Sequence, residues 1–516
     1  MTVDRWLTAA CADADHRNLP ELKPLLSALA GAMTALRRED WNDDAAGMTP
    51  PIPVSPELQD PDAGPRPPER DAKGERPGLQ EAGWSADVPL HRRSIAELAP
   101  LIASGALSSE ALTRACLGEI DAHNAELRAF ITVTADEALA HARALDAETA
   151  AGHTRGPLHG IPVSLKDLID QRGVPTTAAS RVRDGHVAAD DAPVTRRLRA
   201  AGAVLVGKTN LHEFAFGTTS DETAYGAVRN PHDPSRSPGG SSGGSAAAIV
   251  TGMSVASIGT DTGGSIRIPS AACGTVGLKP TWNEIPAAGV VPLSRSLDHV
   301  GPLARTVTDA WLLYLVLKGE AAAAAWPLPA HAHVRGWRIG VPGPYFLDIL
   351  DDDVRARFSE TLARLTHAGA QVTDVVIPHA AITAPVYSLT SLPEASAYHA
   401  SVVAAYPDRY TPNVRMRIEM GRYLLAEDQA RAQLGRDTLR REVDAALAGC
   451  HALAVPTLPI PAAPVGAASV DVAGRPESVR SMMLRLTQLF NLTGHPAISL
   501  PMGRTGAGLP CGLQLV

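Results

Sequence analysis

The stretch PGGSSGGS at residues 238–245 constrains this chain more than any other. Glycine-rich sequence alone reads as a solvent loop. Here SAAAIVTGMSVASIGTD follows at once, an Ala-rich helix running into a short apolar strand, so the bend lies between packed elements. A second glycine-flanked serine, in DTGGSIRIPS, closes the same strand. At such bends glycine lets backbone N–H groups come close to a ligand, and the N-terminus of a following helix favours negative charge. The fold must therefore carry two tight serine-bearing turns, a pattern that suits an oxyanion.

With 516 residues the chain has ample material for a large core. Aromatic residues make up only 4%, so that core is expected to be aliphatic. A formal charge of −8 gives no electrostatic grip on phosphate backbones or anionic lipid, which argues against direct nucleic-acid binding. Cys11, Cys116, Cys273, Cys450 and Cys511 are scattered and odd in number, without metal-ligand spacing. They read as reduced thiols in a cytoplasmic protein, and no metal or cofactor is expected. The N-terminus lacks the apolar run of a secretory signal, and AWLLYLVL at 310–317 is far shorter than the roughly 20 residues a membrane span takes, so no membrane partner is expected.

Along the chain, Leu22, Leu25, Leu26, Leu29, Met33 and Leu36 recur at helical spacing, which predicts an amphipathic helix that must dock on the main body. Residues 43–90 are rich in Pro, Asp, Gly and Arg and cannot build a core, so they read as a linker or strap. The expected organisation is a helical extension over 1–42, the strap over 43–90 and one large domain over 91–516. Ser94 with Glu97 forms a capping box and Ser108 a second N-cap, which predicts two helices. Strand-like runs (161–165, 203–207) then alternate with helical ones, favouring an α/β sheet with helices outside. Region 320–450 reads as largely helical, and HALAVP returns as a strand.

Three motifs fail on inspection. GAVLVGKT (202–209) matches a phosphate-binding loop letter for letter, but its supposed bend, AVLV, is itself the strand. HEFAF (212–216) lacks the second His of a zinc protease, and His331 and His333 read as surface residues. The serine turns fare better. A nucleophilic serine needs a base, and no His lies in these motifs. Lys166 ends an apolar strand in PLHGIPVSLKDLID, where burial would lower its pKa enough to make it a base, although a strand-end Lys more often reaches to water.

Taken together, GPLHGIPVSLKDLID, PSRSPGGSSGGSAAA, GTDTGGSIRIPSAACGTVGLKPT and SLDHVGPLARTVTDA, in that order, resemble the amidase signature family of Ser-cisSer-Lys hydrolases, from about residue 93 to Val516. The resemblance implies a single large α/β domain whose central, twisted, mixed but mostly parallel sheet is covered by helices on both faces, beside the N-terminal helical extension. It implies Ser265 as nucleophile, Ser241 as the relay serine after a cis peptide bond and Lys166 as base. The serines stand 24 residues apart, as in the family. Backbone N–H groups of Thr262, Gly263, Gly264 and Ser265 would form the oxyanion hole. Ser242, Asp261 and Arg267 would support the turns, and Asp261 with Arg267 could equally be a structural salt bridge.

Two features depart from the family. The chain stops at GLPCGLQLV, where relatives are expected to continue, which would leave the last strand without cover. Residues 1–90 precede the signature domain and resemble, in their helix-plus-strap pattern, the small partner subunit that wraps some family members. The leading expectation is a stand-alone amidase that cleaves a small carboxamide to carboxylate and ammonia or amine. The alternatives are the glutaminase subunit of a tRNA-dependent amidotransferase, related through NLHEFAFGTTSDETAYGAVRNP, and a catalytically silent scaffold. Specificity is expected from loops 216–225 and parts of 380–425, and a homodimer is the expected assembly.

Overall fold

Val-, Ile- and Ala-rich runs too short for helices pair into one sheet. In the computed structural model, which describes residues 1–39, 88–320 and 333–516, its strands are β1 (Phe130–Val133), β2 (Pro162–Lys166), β3 (Val204–Thr209), β4 (Ala256–Asp261), β5 (Val276–Lys279), β6 (His299–Ala304), β7 (Arg338–Pro342), β8 (Gln371–Val375) and β9 (Ala452–Pro456). A small hairpin, β10 (Ser469–Val472) and β11 (Arg475–Ser478), stands apart, and β12 (Ala497–Arg504) and β13 (Pro510–Leu515) rejoin the main sheet. The order across its eleven strands is β1-β3-β2-β4-β6-β5-β12-β13-β9-β7-β8. Every residue of β2, β3, β4, β6 and β9 is buried, as expected where helices cover both faces.

The sheet is mixed, but not mostly parallel. Among the described residues only β2 with β3 and β4, and β7 with β8 and β9, run parallel; the remaining pairings are antiparallel. A short connection such as 505–509 between β12 and β13 can only bring the chain back antiparallel. The parallel β2–β4 pair matters most, because it carries Lys166 and Asp261 out at the same edge of the sheet.

The capping box at Ser94 and the cap at Ser108 start the helices Ile95–Ala103 and Ser109–Leu127 as expected. GAVLVGKT is no phosphate loop: VLVGKT is β3 itself, and Lys208 Nζ donates to Asp167 (3.0 Å) and Thr176 (3.0 Å). Among the described residues no helix is long and apolar enough to cross a membrane. His333 is exposed, while His331 and nearly all of the 43–90 strap lie outside the described residues. The last strand is not left bare: β13 is paired by β12 on one edge and β9 on the other, and Cys511 and Leu513 are buried.

At the N-terminus, helix Leu22–Arg37 packs on Thr383–Ala405, Pro412–Met420 and Ala426–Leu447, and helix Val3–His16 packs on Leu22–Arg37. Leu22, Leu26, Leu29, Met33 and Leu36 are buried there, whereas Leu25 is only partly covered. Polar ties hold the rim: Trp6 Nε1 donates to the Tyr423 carbonyl (2.7 Å), and Arg37 grips the buried Asp428 with Nε and Nη2, each at 2.7 Å. Leu26→Ala, a cavity-forming change, is expected to cost about 2–5 kcal/mol in urea unfolding.

Candidate active site

Lys166 ends β2 wholly buried, and its Nζ lies 2.7 Å from Ser241 Oγ and 2.8 Å from Thr260 Oγ1. Among the described residues no carboxylate touches it. Burial therefore pulls the amine down to about 7, against the weaker upward pull of Asp261 and Asp298. A group with that pKa can hold or release a proton near neutrality.

Ser241 follows a cis peptide bond from Gly240. Its carbonyl accepts from Ser220 Oγ (3.1 Å) and the His212 N–H (3.2 Å), which fixes the bend from outside. Glycine is needed here, because a Cβ on Gly240 would lie 2.9 Å from the Thr218 carbonyl carbon. The Ser242 N–H donates to the Ser265 carbonyl (3.2 Å) and its Oγ to the Thr260 carbonyl (3.2 Å), tying the two serine turns together.

Beneath the second turn, Asp261 Oδ1 accepts from the Gly264 N–H (2.8 Å), and Oδ2 from the N–H groups of Ile266 (3.1 Å) and Arg267 (3.4 Å). Arg267 Nη2 pairs with Oδ1 at 2.9 Å, both side chains fully buried. Burial would raise the Asp261 carboxyl, but the Arg267 charge and hydrogen bonds hold it below the usual carboxylate range. Arg267 also donates to the Thr487 carbonyl (2.9 Å), Gln514 (2.6 Å) and Asn491 (2.6 Å). Thr262 Oγ1 donates to Asp298 (2.7 Å), and Thr487 Oγ1 donates to the Gly263 carbonyl (2.6 Å). Ser265, 5% exposed, heads the turn that this network holds.

The structure thus brings Lys166, Ser241, Ser242, Asp261, Thr262, Arg267 and Ser265 into one cluster. Gly264 departs from expectation: its N–H is spent on Asp261, so in this conformation it does not serve an oxyanion. Thr260, Thr487, Asn491 and Gln514 were missed. They come from a strand interior or from segments over 200 residues downstream, and nothing local marks them.

A cavity of about 810 Å³ opens beside this cluster. Its wall includes Thr218, next to Gly240, and Tyr387 and Leu484, which abut Gly263: a Cβ there would lie 2.6 Å from Tyr387 Oη. The expected specificity loops reach it through Thr218–Glu222 and through residues of 381–420. Segments 465–468 and 478–488 also line it, as does Leu25 of the N-terminal helix, none of them expected.

A family sequence model described as Amidase matches residues 111–516. The A subunit of glutamyl-tRNA(Gln) amidotransferase from Roseiflexus sp. (strain RS-1) is 39% identical over 460 residues, covering 83% of this chain and 93% of that protein. A solved amidase shares 38% identity at a TM-score of 0.77, over 82% of this chain and 95% of the other. A second solved protein, described with an "unexpected vestigial protein complex" and the origins of "an s-triazine catabolic enzyme", shares 35% identity at a TM-score of 0.75, over 82% and 94%. The motifs, the sheet and these matches agree, and the chain belongs to the amidase family of amidase signature enzymes.

Proposed function

We propose that the protein hydrolyses the C–N bond of a carboxamide through a Ser265 acyl-enzyme. The observation that carries this reading is the buried Lys166 amine, held 2.7 Å from Ser241 and touched by no carboxylate among the described residues. Neutral Lys166 accepts the Ser241 proton while Ser241 takes the proton of Ser265, whose Oγ bonds to the carbonyl carbon. The N–H groups of Thr262, Gly263 and Ser265 are the donors left to the oxyanion, each such donor being worth about 2.7–4 kcal/mol. The relay then runs backward: the leaving nitrogen takes a proton and departs, and water releases the acid.

Within that reaction, the curated A subunits favour a glutaminase subunit that works with partner chains over the stand-alone amidase placed first on sequence grounds. The solved amidase supports simple hydrolysis. The packing of the helix Leu22–Arg37 on the main body supports a fused partner segment. Glutamine and a panel of primary amides, assayed for ammonia release by the chain alone, separate the two. Turnover of glutamine only when partner chains are added favours the subunit. Hydroxylamine should intercept the acyl-enzyme as a hydroxamate; ammonia release without hydroxamate, at any hydroxylamine concentration, would remove the acyl-enzyme.

The base must be neutral to act, so kcat/KM is expected to rise about tenfold per pH unit below the Lys166 pKa of about 7 and to level off above it. A flat profile from pH 5 to 8 would count against Lys166.

A further inference from the structure

Charged groups on the cavity wall are nearly all answered within the protein. Arg417 donates to the Phe216 carbonyl (2.9 Å) and faces Glu222 at 3.6 Å. Arg485 donates to the Tyr345 carbonyl (2.7 Å), and Asp221 accepts from the Gly466 N–H (3.0 Å). Glu222 is further held by Asn413. Arg480 differs. Among the described residues its guanidinium makes no hydrogen bond or ion pair, and its Cζ sits 5.8 Å over the Phe216 ring.

Arg480 is half-buried on the cavity wall, where a cation without a partner is costly. Burial and the neighbouring Arg417 push its pKa down to about 9, so it is still charged at neutral pH. Tyr387 lines the same cavity as Arg480, and its Oη abuts Gly263 of the nucleophile turn. A ligand filling the cavity can present a carbonyl to that turn and a second group to the guanidinium.

We infer that Arg480 receives a carboxylate of the substrate, so that the enzyme selects amides bearing an anionic group a few carbons from the scissile bond. The fork of guanidinium donors matches a carboxylate's two oxygens, and the low dielectric of a half-closed cavity strengthens the pair. This inference rests on the reading of Ser265 as the acylated residue only for where the amide lies; the anion site stands on Arg480 itself.

The test compares glutaramate, glutamine and pentanamide, which share a chain length and differ in carrying a carboxylate, a carboxylate with an ammonium, or neither. In the wild type kcat/KM is expected to favour glutaramate over pentanamide. Arg480→Gln is expected to reduce that preference about 30-fold, through KM rather than kcat, with partial recovery in Arg480→Lys. Glutamine is expected to depend on Arg480 in the same way. An unchanged preference in Arg480→Gln overturns the inference, as does equal loss on all three amides.

Binding supplies a readout that needs no chemistry. Calorimetry on Ser265→Ala protein is expected to show glutaramate binding that weakens at least tenfold when Arg480→Gln is added. Absence of binding, or binding indifferent to Arg480, overturns the anion site. If none of the three amides is hydrolysed but glutaramate binds through Arg480, the acyl-enzyme reading fails and the anion site survives.

Discussion

Ser265→Ala is expected to lower kcat by about 10⁴–10⁶-fold on whichever amide the wild type turns over best, with the fold intact. The reason is local. The Ser242 N–H donates to the Ser265 carbonyl and so ties the turn that carries Ser265 to the turn that carries the Lys166–Ser241 pair. Removing one oxygen leaves the Asp261–Arg267 frame, the cavity and the oxyanion donors in place, so binding should survive while acyl transfer does not. Ammonia release reads the loss, and a serine-directed sulfonyl fluoride reads the cause: mass spectrometry should find one adduct on the wild type and none on the variant. Retention of more than about a hundredth of wild-type kcat would mean that another group attacks the carbonyl.

Asp261→Ala is expected to cost about 3–5 kcal/mol of stability and most of the activity. The carboxylate answers three backbone N–H groups and a fully buried guanidinium at once. Without it Arg267 is a stranded charge, and the N–H groups of Gly264 and Ile266 lose their acceptor. Urea unfolding reads the stability. Arg267→Met added to Asp261→Ala should recover part of it, because the unpaired charge goes too. A loss under about 1 kcal/mol would show that water enters and solvates Arg267. The same pair sets an acid limit. Asp261 titrates lower in the folded chain than in the unfolded one, so its contribution is complete above the unfolded value of about 3.9 and is lost as pH falls toward the folded value.

How much of this could be read beforehand depends on how local each signal is. The two serine turns were legible because glycine pairs beside an Ala-rich helix and an apolar strand leave few ways to fold. Lys166 stood out as a charge at the end of an apolar strand, but that position alone favoured a side chain reaching to water, and its reading as base came from the resemblance. The false phosphate loop could be rejected because AVLV has a strand's character, and Lys208 indeed sits in β3. Parallel and antiparallel pairings were not legible, since a buried strand looks apolar in either. The frame under the nucleophile turn was equally hidden. Thr487, Asn491 and Gln514 are ordinary polar residues until the fold sets them against Arg267. The same holds for Gly264, whose N–H looked available until Asp261 was seen to take it.

Leu25 lines the cavity from a helix that packs against three others far along the same chain. A wall delivered by a separate subunit is lost on dilution below its dissociation constant, and specific activity falls with it. A wall that is covalently part of the same chain meets its seat at an effective concentration set by the chain and not by the number of copies. The shape of this cavity is therefore set by an intramolecular equilibrium, the same at one copy per cell as at a thousand.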